Sequence, residues 1–398
     1  MCRNNTLGGL GTSRIAEIAG GRGEVVANEL NPAEIQNWKD VALSDRGVFL
    51  DLAARGLRMP IAVDLVLNEE HDPEHVRENG PALGRVIERA ARRWNTPLAL
   101  SLMDLRLEKI DLLAAAGIPA AEAERYHFPA PLDGPKLSAI CSNQAIGFSP
   151  GSRARDEALT YIASQTDLIP VGVAIGPFSL ATRLMADPIA AIAMAGAGVE
   201  PRDSGEVRLW WQCLRMAEAA VARSLRSQIA HGVRAMLICE PAAGTAFISP
   251  RQIKAGSKLF ERAVMVPNLR LKTILDEAGC SLIFHDCGEL TDEMIEAFAH
   301  RLHPAMLSLG GSRKLWQDAR LVPKDVVLYG NLPSKSFYSD SAMPVEEVVR
   351  RTGELIARMR ACGHPHILGT ECDVLFVPGA QEAIRRKVDA MMTAEPAG

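Results

Sequence analysis

The stretch SLIFHDCGELTDEMIEAFAHRLHPAMLSLGG, residues 281–311, contains two short apolar runs that are separated by one amphipathic helix. Each apolar run ends in polar or glycine residues. Apolar strands that alternate with amphipathic helices indicate a parallel sheet with both faces covered. This stretch therefore predicts one unit of an α/β fold.

The same alternation continues on both sides of this stretch. With an eighth strand expected within residues 105–165, it predicts a (β/α)8 TIM barrel, and a doubly wound open sheet is the alternative. No glycine-rich dinucleotide fingerprint follows the first run, and no Walker A motif occurs. The apolar runs are PLALSLMD (97–104), PVGVAIG (170–176), RAMLICE (234–240), SLIFHDC (281–287), AMLSLGG (305–311), VVLYGNL (326–332) and HILGTEC (366–372).

The residues before the first run have a different pattern. Asn31-Pro32 is typical of a capped helix start, and Gly80 to Trp94 has apolar residues at helical spacing. We therefore divide the chain into an N-terminal helical extension packed on the barrel (1–95), the barrel itself (96–392) and a tail (393–398).

Composition excludes several classes of protein. The 398 residues include 44 Lys and Arg against 48 Asp and Glu, a net charge of −4 that disfavours nucleic-acid binding. No apolar run reaches the roughly 18 residues of a membrane span, and the first residues contain no apolar block of signal-peptide type. Eight cysteines are too few for a disulfide scaffold of this length. We expect a soluble, cytoplasmic protein with reduced cysteines and no membrane partner.

Three possible metal ligands lie at predicted strand ends. Catalytic groups of parallel barrels come from the carboxyl ends of the strands. Residues i and i+2 of a strand point to the same side, so His285 and Cys287 can converge, and Cys372 ends the last run. One imidazole and two thiolates match an open catalytic zinc site. The alternative is a buried cysteine beside a hydrogen-bonded histidine.

Five motifs together resemble one family. The motifs are GPFSLATRLM (176–185), ICEPAAGTAFISP (238–250), HDCG (285–288), YGNLPS (329–334) and GTECDV (369–374). These segments are similar to the uroporphyrinogen decarboxylase superfamily, in the order expected of its methyltransferase branch, the methylcobamide:coenzyme M methyltransferases and their bacterial relatives.

The resemblance implies a zinc-dependent enzyme with His285, Cys287 and Cys372 as Zn²⁺ ligands. A methyl group would move between methylcobalamin, presented by a corrinoid-binding partner protein, and a small acceptor such as a thiol activated as zinc thiolate. The direction of transfer, the small molecule and the oligomeric state stay open. Cobalamin-independent methionine synthase is a weaker match, because AMLSLGG offers Ser308 where that family has a glutamate.

Three other functions are compatible with the sequence. A metal-free decarboxylase of the same superfamily is one, although the arginine-rich N-terminal signature of those enzymes does not occur here. A methyl donor:corrinoid methyltransferase with zinc as Lewis acid is the second. A barrel whose His/Cys cluster only stores or senses metal is the third.

Further polar residues are candidates for the same site. Glu240 ends the third run, RAMLICE, and we predict a catalytic role for it, as a fourth zinc ligand or as the group that orients His285. A helix- or loop-capping carboxylate is the alternative. Asp104 and Asn331 are predicted cofactor-binding residues. Cys239 and Cys280 are predicted to be core residues.

Overall fold

The computed structural model describes residues 46–142 and 147–396, so the predicted helix start at Asn31 lies outside the described residues. Eight short strands form the framework of the described chain. They fix the positions of the imidazole and thiol side chains that lie at or just beyond their ends. The strands are β1 (Arg58–Met59), β2 (Leu98–Leu100), β3 (Ile169–Ile175), β4 (Ala235–Cys239), β5 (Ser281–Asp286), β6 (Met306–Leu309), β7 (Val327–Leu332) and β8 (His366–Thr370).

Helices connect successive strands and cover the outside of the sheet. Ser204, Ser249 and Thr291 accept backbone hydrogen bonds at the starts of three of them, the usual role of such residues at helix N-termini. The helices are α1 (Gly47–Ala54), α2 (Val63–Leu67), α3 (Pro73–Arg77), α4 (Gly80–Arg93), α5 (Leu107–Ala115), α6 (Ala120–Ala123), α7 (Gly134–Ser142), α8 (Pro150–Gln165), α9 (Pro177–Thr182), α10 (Pro188–Gly196), α11 (Gly205–Ala230), α12 (Pro250–Lys254), α13 (Val266–Glu277), α14 (Asp292–Glu296), α15 (Leu315–Asp318), α16 (Val345–Cys362) and α17 (Gln381–Thr393).

The strands are hydrogen-bonded in the order β1-β8-β7-β6-β5-β4-β3-β2, and every pairing is parallel. Side chains from both edge strands, such as Met59 of β1 and Leu98 of β2, pack in one interior cluster with residues of the strands between them. The sheet therefore curls round a shared core, which confirms the predicted (β/α)8 barrel and excludes the open sheet.

The prediction for the eighth strand was wrong. Among the described residues of 105–165, the regular elements are helices and not a strand. The additional strand is β1, which lies near the start of the described chain and pairs with β8. Arg58–Met59 is too short to show the alternation of a strand, and the apolar stretch directly after it, PIAVDLVL (60–67), continues into α2. The sheet therefore begins inside the segment 1–95 that we assigned to a helical extension, although the described part of that segment also contains α1 to α4.

The side chain of Tyr329 links β7 to β1, although β8 lies between these two strands in the sheet. Its ring lies in the barrel interior and its hydroxyl donates a 2.7 Å hydrogen bond to the carbonyl oxygen of Met59. A Cβ added at Gly369 of β8 would overlap with the Tyr329 ring, so glycine is required where the ring passes. In the part of the chain that the structure describes, no helix is both long and apolar enough to cross a membrane.

Candidate metal centre

His285, Cys287 and Cys372 meet at the carboxyl ends of the strands. Their ligand atoms all lie within 4.8 Å of one another, and the two sulfurs are 3.9 Å apart. His285 is the second-last residue of β5, Cys287 follows that strand directly, and Cys372 lies two residues beyond the end of β8. The structure thus brings together the three residues that strand alternation and the barrel topology selected.

One hydrogen bond fixes the imidazole of His285. Ser308, its register partner on β6, lies with its hydroxyl oxygen 2.8 Å from Nδ1 of the ring. The ring is 1% exposed and its Nε2 has no hydrogen-bond partner. An unpaired buried nitrogen costs free energy, so this atom is suited to a ligand from outside the chain. With Nδ1–H donating to Ser308, the Nε2 lone pair is free for a metal.

The two thiols shift each other's pKa in opposite directions. The hydrogen bond between the two sulfurs lowers the pKa of Cys287, against the effect of burial, and His285 and Lys335 lower it further. The same hydrogen bond raises the pKa of Cys372. The contact therefore favours ionisation of Cys287 over ionisation of Cys372. Thiolates are the form in which cysteine binds metals.

These donors fit a divalent metal with soft ligands. Two cysteine sulfurs and one histidine nitrogen form a ligand set of catalytic zinc sites, which keep a fourth position open. Among the described residues, the cluster contains these three side chains and no carboxylate. The orphaned Nε2 of His285 is the clearest sign that the cluster is built for a ligand.

The structure gives Glu240 a helix-capping position. Its buried carboxylate accepts hydrogen bonds from the backbone N–H groups of Phe178 (3.1 Å) and Ser179 (2.8 Å), at the start of α9, and from Nδ2 of Asn268 (2.9 Å). Burial raises the pKa of Glu240. The predicted role as support for His285 needs correction, because Ser308 occupies that position and the glutamate oxygens are turned to α9.

The two predicted cofactor-binding residues are held by protein contacts. Asp104 forms an ion pair with Arg106, with 2.7 Å between Oδ2 and Nη2. Asn331 donates from Nδ2 to the carbonyl oxygens of Gly310 (2.7 Å) and Arg313 (2.9 Å), which fixes the loop after β6. Their contact with a cofactor stays a prediction.

Two site residues were missed by the sequence reasoning. In the sequence, Ser308 stands out only because a related family has a glutamate at that place. Its position on the strand next to His285 could have identified it as a hydrogen-bond partner of the ring. Lys335 lies on the turn Ser334–Ser336 after β7, and no motif marked it. Cys239 and Cys280 are buried in the core, as predicted.

The fold and this cluster define a (β/α)8 barrel with a His/Cys/Cys cluster at its mouth. The family model described as uroporphyrinogen decarboxylase (URO-D) matches residues 157–393. The chain belongs to the uroporphyrinogen decarboxylase family, which confirms the resemblance seen in the motifs.

A solved structure gives an independent comparison of the fold. The chain is similar to a methyltransferase from Methanosarcina mazei, with a TM-score of 0.60 and 15% sequence identity, over 88% of this chain and 98% of that chain. At this identity the likeness shows a shared fold. None of the curated protein sequences matches the chain.

Proposed function

We propose that this protein is a zinc-dependent methyltransferase that moves a methyl group between a corrinoid on a partner protein and a small thiol. The observation that carries the proposal is the cluster of His285, Cys287 and Cys372, with its unpartnered Nε2, at the barrel mouth. Membership of the family and the fold shared with a methyltransferase support the same class of enzyme.

The three residues would hold the metal through one nitrogen and two sulfurs. Bound there, zinc would keep the acceptor sulfur as a thiolate at neutral pH, where a free thiol with a pKa of about 8.5 is mostly protonated. Two cysteine thiolates donate more electron density than harder ligands, which would leave the acceptor sulfur nucleophilic.

The protein's own residues supply orientation. Ser308 holds the imidazole with Nε2 towards the two sulfurs, and the burial of His285 keeps competing water from that nitrogen. The corrinoid carries the difficult carbon–cobalt chemistry, so the barrel has to bind and orient the reactants. The carboxyl-terminal mouth is the place where barrel enzymes bind substrates.

The test combines metal analysis with a single-turnover assay. Purified protein should contain one zinc per chain and should demethylate free methylcobalamin in the presence of a thiol, which is followed in the visible spectrum and by detection of the methyl thioether. Cys239→Ala is the matched control, because Cys239 is a buried cysteine of β4 outside the ligand cluster. Protein that decarboxylates a porphyrinogen without metal, and that transfers no methyl group, would contradict the proposal.

A further inference from the structure

A cavity of about 540 Å³ lies at the end of the barrel where the strands begin, opposite to the candidate metal centre. Arg58, the first residue of β1, and His366, the first residue of β8, both line it. Cys287 and Cys372 instead lie just beyond the carboxyl ends of their strands. A cavity of this volume is large enough for a small organic molecule.

Part of the cavity wall is aliphatic. Helices α1 and α16 and strand β8 all contribute apolar side chains to this part. These side chains are Leu50, Ile356, Met359 and Leu368. Because removal of apolar ligand surface from water favours binding, this part of the wall suits a ligand with an apolar body.

Arg58 brings a buried guanidinium group to this cavity. The residue is 8% exposed, and its Nη1 donates to the carbonyl oxygens of Met391 (3.2 Å) and Met392 (2.8 Å), near the end of α17. These two bonds use one of its three nitrogens. Among residues 46–142 and 147–396, no group accepts a hydrogen bond from Nε or Nη2. The remaining donors of the planar guanidinium group are therefore available to a ligand.

Arg360 of α16 places a second guanidinium group in the same wall. It is exposed, and no carboxylate oxygen of the described residues lies within 4.0 Å of it. Burial lowers the pKa of Arg58 and the charge of Arg360 lowers it further, whereas Glu395, a carboxylate in the wall, opposes both effects. Arg55 also lines the cavity, but its charge is balanced by Asp51 at 2.7 Å. The wall therefore carries more positive than negative charge and favours an anionic ligand.

His364 lines the cavity and has one ring nitrogen without a partner. The residue is 4% exposed, and its Nε2 donates a 2.9 Å hydrogen bond to the carbonyl oxygen of Val326. In the described part of the chain, its buried Nδ1 has no hydrogen-bond partner. Burial lowers the pKa of His364, so the ring is neutral at neutral pH and Nδ1 carries a lone pair. A ligand hydroxyl group that donates to Nδ1 would remove the cost of leaving this atom unpaired.

We propose that this cavity is a binding site for an organic phosphate with an apolar body and a hydroxyl group. Arg58 and Arg360 would hold the phosphate oxygens, because guanidinium groups match phosphate in geometry and charge. The apolar body would lie against the aliphatic part of the wall, and the hydroxyl group would donate to Nδ1 of His364. This site is independent of the proposed function, since the cavity and the candidate metal centre lie at opposite ends of the strands.

The test is a calorimetric titration of the purified full-length protein with 4-hydroxyphenyl phosphate, which should bind at one site per chain. Phenyl phosphate, which lacks the donor for His364, should bind about fivefold more weakly. Arg360→Gln should weaken binding of either probe by about tenfold, and Glu395→Gln should strengthen it by about threefold. Both side chains are exposed, so both variants should fold. Arg358→Gln is the matched control, because Arg358 is an exposed arginine of the same helix that does not line the cavity.

Cys287→Ala separates this cavity from the candidate metal centre, and this variant should bind 4-hydroxyphenyl phosphate as the wild type does. Loss of binding in folded Cys287→Ala protein would place the probe at the metal centre and overturn the proposal. Absence of binding to the wild type would refute it as well, and so would equal affinities of the wild type, Arg360→Gln and Glu395→Gln. Equal affinities for the two probes would contradict the role of His364 as the acceptor.

Discussion

The hydroxyl oxygen of Ser308 lies 2.8 Å from Nδ1 of His285, on the neighbouring strand of the barrel. This contact determines which ring nitrogen faces the two cysteine sulfurs. Metal-bound histidines commonly donate their second N–H to such an oxygen, which fixes the tautomer and the ring orientation. Ser308 would therefore act on a bound metal through His285.

Ser308→Ala should weaken zinc binding without unfolding the barrel. Loss of a group that orients a ligand typically lowers metal affinity by about 10- to 100-fold. Competition with a chromogenic chelator measures the affinity. Ser101→Ala is the matched control, because Ser101 is a buried serine whose hydroxyl has no hydrogen-bond partner. Equal zinc affinity in Ser308→Ala and the wild type would mean that the hydroxyl does not orient the imidazole.

Cys287→Ala and Cys372→Ala should each abolish stable zinc binding and methyl transfer. Each change removes one of three protein ligands, and the remaining two hold zinc too weakly to ionise a thiol. Both cysteines lie beyond the strand ends and are only partly buried, so the fold should persist. Elemental analysis and circular dichroism check the two expectations. Wild-type methyl transfer by Cys372→Ala would show that the third ligand is wrongly assigned.

Cys239→Ala should give the opposite result. Cys239 is fully buried in β4, so its replacement leaves a small cavity that costs about 1 kcal/mol of unfolding free energy. Zinc content and methyl transfer should stay close to those of the wild type. Denaturant unfolding and metal analysis of the same preparation measure both quantities, and loss of zinc here would place Cys239 in the site.

The ligand cluster was predictable because it depends on short-range rules. Alternation along β5 puts His285 and Cys287 on one side, and the barrel topology puts Cys372 at the same mouth. The register that pairs Ser308 with His285 depends on how two strands align, which one sequence does not reveal. The strand Arg58–Met59 was missed because two residues are too few to show the alternation of apolar and polar side chains that indicates a strand.

Glu240 illustrates a different limit of the sequence. Its position at the end of an apolar run was predicted correctly. The backbone N–H groups that donate hydrogen bonds to its carboxylate belong to Phe178 and Ser179, about 60 residues earlier in the chain. A strand-end carboxylate can face the barrel mouth or turn to the start of a neighbouring helix. Only the packing of α9 against β4 decides between these directions.

Glu240→Gln should therefore reduce stability rather than metal binding. One acceptor oxygen becomes an NH₂ group that faces backbone N–H donors, which costs about 1–3 kcal/mol. Thermal unfolding of the zinc-loaded protein measures the loss, and metal analysis should still find one zinc per chain. Zinc loss with unchanged stability would restore Glu240 as a metal ligand and contradict the capping role.

Tyr329→Phe should lower the unfolding free energy by about 1 kcal/mol, the usual contribution of one hydrogen bond. The change removes the hydroxyl that donates to the Met59 carbonyl oxygen and so loosens β1 from β7. Hydrogen exchange at the amides of β1 should rise, because a two-residue strand has few other attachments. Unchanged exchange there would show that β8 alone holds β1.

Gly369→Ala and Tyr329→Ala should be strongly non-additive. Alone, Gly369→Ala forces a Cβ into the Tyr329 ring and should cost about 1–3 kcal/mol from overpacking. In the Tyr329→Ala background the ring is absent, so the added methyl group should cost much less and partly fill the cavity. Denaturant unfolding of the four proteins gives the coupling energy, which we expect to exceed about 1 kcal/mol for two groups in direct contact. Additive losses would mean that Gly369 is needed for its backbone and not for the passage of the ring.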